Sequence, residues 1–395
     1  MSAQPRRPGT EPNPDGPQAT AGIPPAAPHE ATAGILPAAP HEAAAGVPPA
    51  SQRAGEGGMG RGVWARRQAG EHSASRALGV TERFGLVFLL VAEIVLFSVL
   101  PKTSSTFLTV QNFRTVAANQ SVLSIAALAS ILPLIGGNFD LSVGAVALLS
   151  DIACAAATAN FHAALAAAIV VAIAIGAAIG LMNGVIVAKA GVIALITTLG
   201  TFYVIIGVLL WYTGGNAIVT GIPTALTNVN VQLWLGAPEI AVFMIISALV
   251  VWYLLAHTPW GRYLHAVGSN PVAARLVGIA IDRVVILSFV ASGTFAAIAG
   301  VLELANSGSA FPNVNNASGL LLPALASAFL GATTIRPGRF NVLGTLVGVF
   351  FIAVAVQGLT LAGVADWVQY VLYGATLVAA VAISSIIRRQ RAAGR

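Results

Sequence analysis

"VLSIAALASILPL" (122–134), "IGGNFDLSVGA" (135–145) and "VALLSDIACAAATA" (146–159) are consecutive, and the middle stretch decides how its flanks are read. Two runs oily enough for lipid are separated by a diglycine, Asn138, Asp140 and Ser142. Gly136 and Gly137 permit a tight reversal. Asp140 or Ser142 can cap the helix that follows, the carboxylate being favoured by that helix's positive N-terminal end. The stretch therefore reads as a capped turn between two membrane spans. A second reading keeps Asp140 at the lower mouth of a solute pathway.

Composition carries the same reading outward. Of 395 residues, 56% are hydrophobic and 9% charged, whereas a soluble domain carries roughly 25% charged residues. Too little polar surface is left to cover a water-facing globule. Beyond residue 83 the chain offers ten apolar runs, at 84–100, 116–135, 141–159, 163–188, 191–213, 238–256, 284–304, 320–335, 341–362 and 366–387. Each approaches the roughly 20 residues needed to cross a 30 Å hydrocarbon core. Such runs must be helices, because lipid offers backbone groups no other partner. The expectation is an all-α polytopic membrane protein with a transmembrane domain over 84–388. Gly176, Gly180 and Gly184 are spaced to let helix backbones approach closely.

Residues 1–83 differ in kind. "ATAGIPPAAPHE" (19–30) repeats as "ATAGILPAAPHE" (31–42) and fades into "AAAGVPPA" (43–50). A Pro, Ala and Gly repeat without aromatic residues buries too little surface to offset its ordering entropy, so a disordered tail is expected. The first long apolar run begins too late for a secretory signal. The net charge of +6 resides in Arg and Lys flanking apolar runs, which suits lipid headgroups and gives no nucleic-acid patch. Cys154 is the sole cysteine, so no internal disulfide forms. The six histidines lack metal-ligand spacing, and no metal is expected.

Charge also orients the chain. A cytoplasmic N-terminus and ten spans return the C-terminus to the same side. Twelve basic residues then flank cytoplasmic ends, among them Arg76, Arg83, Lys189, Arg262, Arg275, Arg283, Arg336 and Arg339. Only Lys102 and Arg114 fall opposite. This bias predicts a cytoplasmic tail and both termini in the cytoplasm.

The largest loop on that side is "HTPWGRYLHAVGSNPVAARLVGIAIDR" (257–283). Asn270 can cap a short helix opened by Pro271, and Gly278 can end it. From the residues alone, the segment either lies on the membrane surface or presents a helix to a groove on a cytoplasmic partner.

The residues of this loop resemble the cytoplasmic loop of the ribose-type permeases of bacterial ABC importers. The pattern is close to T-x-x-G-R-Y-x-x-A-x-G-x-N-x-x-A-A-x-x-x-G-I. The opening stretch is similar to the family's G-G-x-[ILF]-D-L-S-V-G signature, at Gly136, Gly137, Asp140, Leu141, Ser142 and Gly144. "GRFNVLGTLVGVFF" (338–351) resembles its G-x-x-x-G-T-x-x-G segment. Val272 stands where many members carry Glu, and "LLLPALASAFLGATTIRPGR" is poorer in small and acidic residues than usual.

The resemblance implies a type II importer-like permease fold in a bacterial inner membrane, with 257–283 as the loop pressed against a separate cytoplasmic ATPase. Gly261, Arg262, Tyr263, Gly268, Asn270, Ala273, Ala274, Arg275 and Gly278 fall on that loop. It further implies a second permease chain, here a homodimer, and an extracytoplasmic binding protein that captures a sugar or similar small polar solute. This chain would bind no cofactor, ATP being used by its partner. Neither lysine, Lys102 or Lys189, sits in a phosphate-cradling glycine loop, so no ATPase or other catalytic residue is expected here.

The alternative is an ion-coupled secondary transporter, which needs acids inside the membrane. Glu93, Asp140, Asp151 and Glu303 are the candidates. Asp140 and Glu303 are expected near water at span ends, and Asp151 is the candidate to line the pathway.

Overall fold

The computed structural model describes residues 83–234 and 236–393. The repeat-bearing tail and the expectation of disorder there lie outside the described residues, as do the signs of orientation carried by Arg76 and Arg395. Each expected span corresponds to a helix: α1 (83–99), α3 (Val110–Ile135), α4 (Val143–Ala159), α5 (Leu165–Lys189), α6 (Ala194–Thr213), α8 (Glu239–His257), α11 (Ile281–Ser307), α12 (Val314–Gly331), α13 (Val342–Leu361) and α14 (Trp367–Ala393). Among the described residues, seven of these are long and apolar enough to cross a membrane, with α4 and Trp367–Ala382 of α14 shorter apolar helices. The connections add α2 (Ser104–Phe107), α7 (Thr224–Val231), α9 (Pro259–Ser269), α10 (Pro271–Leu276) and the antiparallel pair β1 (Leu233–Trp234) and β2 (Ala237–Pro238).

Two helices start earlier than hydropathy suggests, for a local reason. The Thr109 hydroxyl accepts Asn112 N–H at 3.2 Å and opens α3, and Asn313 accepts Asn315 N–H at 2.9 Å and opens α12. Side-chain caps satisfy orphan donors in polar sequence, where an apolar count sees only loop. The connection 213–238 carries α7 and the β1–β2 pair. Backbone bonds between Ile218 and Ala310, at 2.9 and 3.0 Å, tie it to the α11–α12 connection.

Burial separates inner from outer helices. In α3, 83% of the apolar window is buried, against 22% in α5. The helix α11 packs on α3, α4 and α5. The glycine spacing noted in α5 faces α11: a Cβ at Gly180 would overlap Phe289 O, and one at Gly176 would lie 2.6 Å from Gly293 O. In lipid, where helix association gains nothing from leaving water, such close backbone approach supplies dispersion contacts. The exposed faces of α5, α6 and α8 present Val170, Val204, Tyr203 and Leu249, which suits contact with acyl chains.

Candidate functional site

The signature stretch does not form the capped turn at the water surface that the sequence suggests. Gly136 and Gly137 do turn the chain after α3, Gly137 at φ +84°. From there 138–142 runs without helix into the bundle and delivers Asp140 to a site where it is only 2% exposed. Its carboxylate accepts Ser292 Oγ at 2.8 Å, and Ser292 lies well inside α11. Eleven helical steps, about 16 Å, separate Ser292 from the start of α11 at Ile281. The other correction concerns capping: Ser142 holds the N-cap position of α4 but makes no side-chain cap bond.

Polar side chains from four helices converge on Asp140 instead. Oδ1 accepts Ser142 N–H at 3.0 Å and Ser142 Oγ at 2.5 Å. Ser142 Oγ in turn accepts Asn183 Nδ2 of α5 at 3.0 Å, and Asn183 Oδ1 accepts Thr201 Oγ1 of α6 at 2.7 Å. Every donor points towards the carboxylate, which can only accept when ionised. Beside it, Thr198 Oγ1 accepts Leu141 N–H at 3.0 Å, satisfying backbone that has no helical partner. Ser292, Asn183, Thr198 and Thr201 are the buried hydrogen-bonding partners that the sequence reading missed. A lone Asn183 within "AIAIGAAIGLMNG" was the available signal. Gly144 packs α4 on α12, where an added Cβ would overlap Ala317 O.

At the end of α8, residues 258–280 form a rigid bracket. Thr258 is extended, as a residue before proline prefers, and its hydroxyl accepts Gly261 N–H at 3.2 Å to cap α9. Asn270 ends α9 and caps α10, its Oδ1 accepting Ala273 N–H at 3.0 Å. Pro271 opens α10 at the first turn, and Gly278 turns the chain at φ +81°. The inner face holds Gly261, Leu264, Val267 and Ala274, with Trp260 Nε1 donating to Val284 O at 3.4 Å. Gly268 lies on the end of α3 so closely that a Cβ would overlap Ile135 O. Arg262, Tyr263, Ala273 and Arg275 are exposed. So are Val272, Leu276 and Val277, at 70%, 84% and 77%. The loop residues thus divide into those that build the bracket and those it displays.

Asp151 and Glu303 meet at a cavity of about 380 Å³ between α3, α4, α11 and α12. It lies towards the end of the bundle opposite α9 and α10, where Ser307, Ser309 and Phe311 contribute to its lining. Glu93, on α1, lies outside it and leaves Oε2 buried without a hydrogen bond. Among the described residues, no group of three or more His, Cys, Asp or Glu could hold a metal ion.

Long apolar helices around a buried polar tie, with a capped helical bracket at one end, mark a multi-pass membrane protein. Residues 112–381 match the family described as branched-chain amino acid transport system / permease component, and the chain belongs to that family. It is 34% identical to the ribose import permease protein RbsC of Escherichia coli K12 over 299 residues, which are 75% of this chain and 92% of that protein. It is 30% identical to the autoinducer 2 import system permease protein LsrC of Photorhabdus laumondii, over 76% of this chain and 89% of the relative. It is 28% identical to the D-allose transport system permease protein AlsC of E. coli K12, over 78% and 93%. No solved structure matches the chain significantly.

Proposed function

We propose that this chain is the membrane subunit of an ABC importer for a sugar or related small polar solute, working as a homodimer in a bacterial inner membrane with both termini in the cytoplasm. A separate ATPase docks on 257–283, and an extracytoplasmic binding protein delivers the solute to the opposite end. The bracket carries the reading. Its inner face is fixed to α3, α8 and α11, while Val272, Leu276, Val277 and Arg275 stand exposed on a short capped helix. Rigid backing with an exposed apolar tip is what a helix-in-groove contact needs. The named relatives, import permeases for ribose, D-allose and autoinducer 2, support an importer over an ion-coupled carrier.

The test is co-purification with, and uptake driven by, the ATPase and binding protein of the same importer. Arg275→Glu, with normal membrane insertion, should lose the ATPase and lower uptake at least tenfold. Undiminished uptake and co-purification would refute the docking surface. Uptake abolished by an uncoupler in cells that keep their ATP would favour the ion-coupled carrier.

A further inference from the structure

The cavity between α3, α4, α11 and α12 holds two carboxylates, and among its described lining residues there is no Lys, Arg or His. Asp151 is 3% exposed, and its Oδ1 has no hydrogen-bond partner. Gln120, on the facing helix α3, leaves Oε1 equally unpartnered in the same cavity. Arg114 lines a neighbouring cavity and donates to Gly236 O at 3.3 Å. Buried acceptors are normally satisfied, and a buried carboxylate is normally paired. Two unpartnered acceptors at one cavity therefore call for a ligand that brings donors and positive charge.

We infer that Asp151, Glu303 and Gln120 form a subsite for a small solute bearing a protonated amine beside hydroxyl groups, such as an amino sugar or amino polyol. This inference rests on the permease reading and specifies its cargo. A neutral sugar would offer hydroxyl donors to Asp151 and Gln120 but nothing that favours the ionised form of the two carboxyl groups. An ammonium supplies three donors and the charge together. The remaining lining suits hydroxyl groups, with Asn119, Asn315 and Asn316 each able to donate and accept. At about 380 Å³ the space is within the usual range for small-molecule pockets. Entry is from the end opposite α9 and α10, past Ser309 and Phe311.

The test is thermal unfolding of the full-length permease in detergent with D-glucosamine, N-acetyl-D-glucosamine or D-glucose at matched ionic strength. D-Glucosamine at millimolar concentration should raise Tm by several degrees, and the other two should not. Asp151→Asn and Glu303→Gln should each abolish that rise, while unliganded Asp151→Asn unfolds no lower than the wild type because Oδ1 has no hydrogen bond to lose. Equal rises with D-glucose and D-glucosamine, a rise retained in both variants, or no rise with any sugar would each overturn the subsite. A rise with NaCl absent in choline chloride, without a D-glucosamine response, would assign the cavity to a metal ion and overturn it too. ATP-driven uptake of a neutral sugar, unchanged in Asp151→Asn, would leave the permease reading standing and remove only this inference.

Discussion

Replacing Asp140 by Ala and by Asn separates the two roles open to this carboxylate. In the alanine variant the Ser142 N–H at 3.0 Å loses its acceptor in a site where Ser142 is only 1% exposed. An orphaned buried donor costs about 1–3 kcal/mol. The two serines suffer less. Ser142 Oγ still accepts from Asn183, and the Ser292 hydroxyl can turn back to a carbonyl of its own helix. Adding a fraction of a hydrogen bond for each, and crediting removal of a buried charge, leaves a net loss of about 1–3 kcal/mol. For a chain of 395 residues that lowers Tm by about 2–4 °C. The asparagine variant keeps one oxygen for both Ser142 donors and offers its amide to Ser292 Oγ, which can accept. Its cost is about 1 kcal/mol or less, because weaker bonds are offset by the lost charge. Thermal unfolding in detergent measures both. An alanine variant as stable as wild type, or an asparagine variant as damaged as the alanine one, would refute the structural tie. If Asp140→Asn holds its Tm yet transports nothing, the charge itself serves the pathway.

Other substitutions probe the remaining contacts. Gly268→Val should push α9 off Ile135 and reduce co-purification of an ATPase by tenfold or more, while Gly85→Ala, with open space around it, should change neither quantity. Gly278→Pro should abolish uptake with insertion intact, since proline cannot adopt φ +81°, whereas Gly278→Ala should cost only about 1 kcal/mol and keep most uptake. Asn183→Ala should lower Tm by several degrees by breaking the link from Thr201 to Ser142, and a double variant with Asp140→Ala should be less than additive.

The spans were legible because lipid leaves one solution for long apolar runs, and the limits expected for α4, α5 and α13 differ from those found by a few residues. The bracket was legible too, since Asn270, Pro271 and Gly278 act within a few residues of themselves. Asp140 was not. Hydropathy sees a polar interruption and assigns it to the surface, where most interruptions belong. Its acceptance inside the bundle depends on Ser292, which is 152 positions away in the chain, and on Asn183 and Thr201 on two further helices. No periodicity within one segment encodes such a meeting. The cavity acids were visible one at a time, but their shared space arises only when α4 lies along α11.

That arrangement links the two ends of the molecule mechanically. Gly268 of α9 presses on Ile135, and a Cβ at Gly136 would lie 2.9 Å from Leu264 Cδ1, so the bracket holds the lower end of 136–142. Asp140 and Ser142 fasten the upper end of that stretch to α11 and α5. The chain leaving α10 enters α11 directly after Ala280. A displacement of α9 and α10 therefore loads α11 at its start, through the backbone, and again near its middle, through Asp140 and Ser292. Further along the same pair of helices, Gly300 lies against Ala147 with no room for a Cβ, and beyond it Asp151 and Glu303 line the cavity. Close-packed backbones transmit a shift rather than absorb it. Breaking the Asp140–Ser292 bond alone, with Ser292→Ala, should accordingly spare ATPase binding and most of the stability, about 1 kcal/mol being lost. It should nonetheless slow uptake severalfold, because one of the two attachments between bracket and cavity is gone. Unchanged uptake in Ser292→Ala would mean that the start of α11 carries the whole displacement.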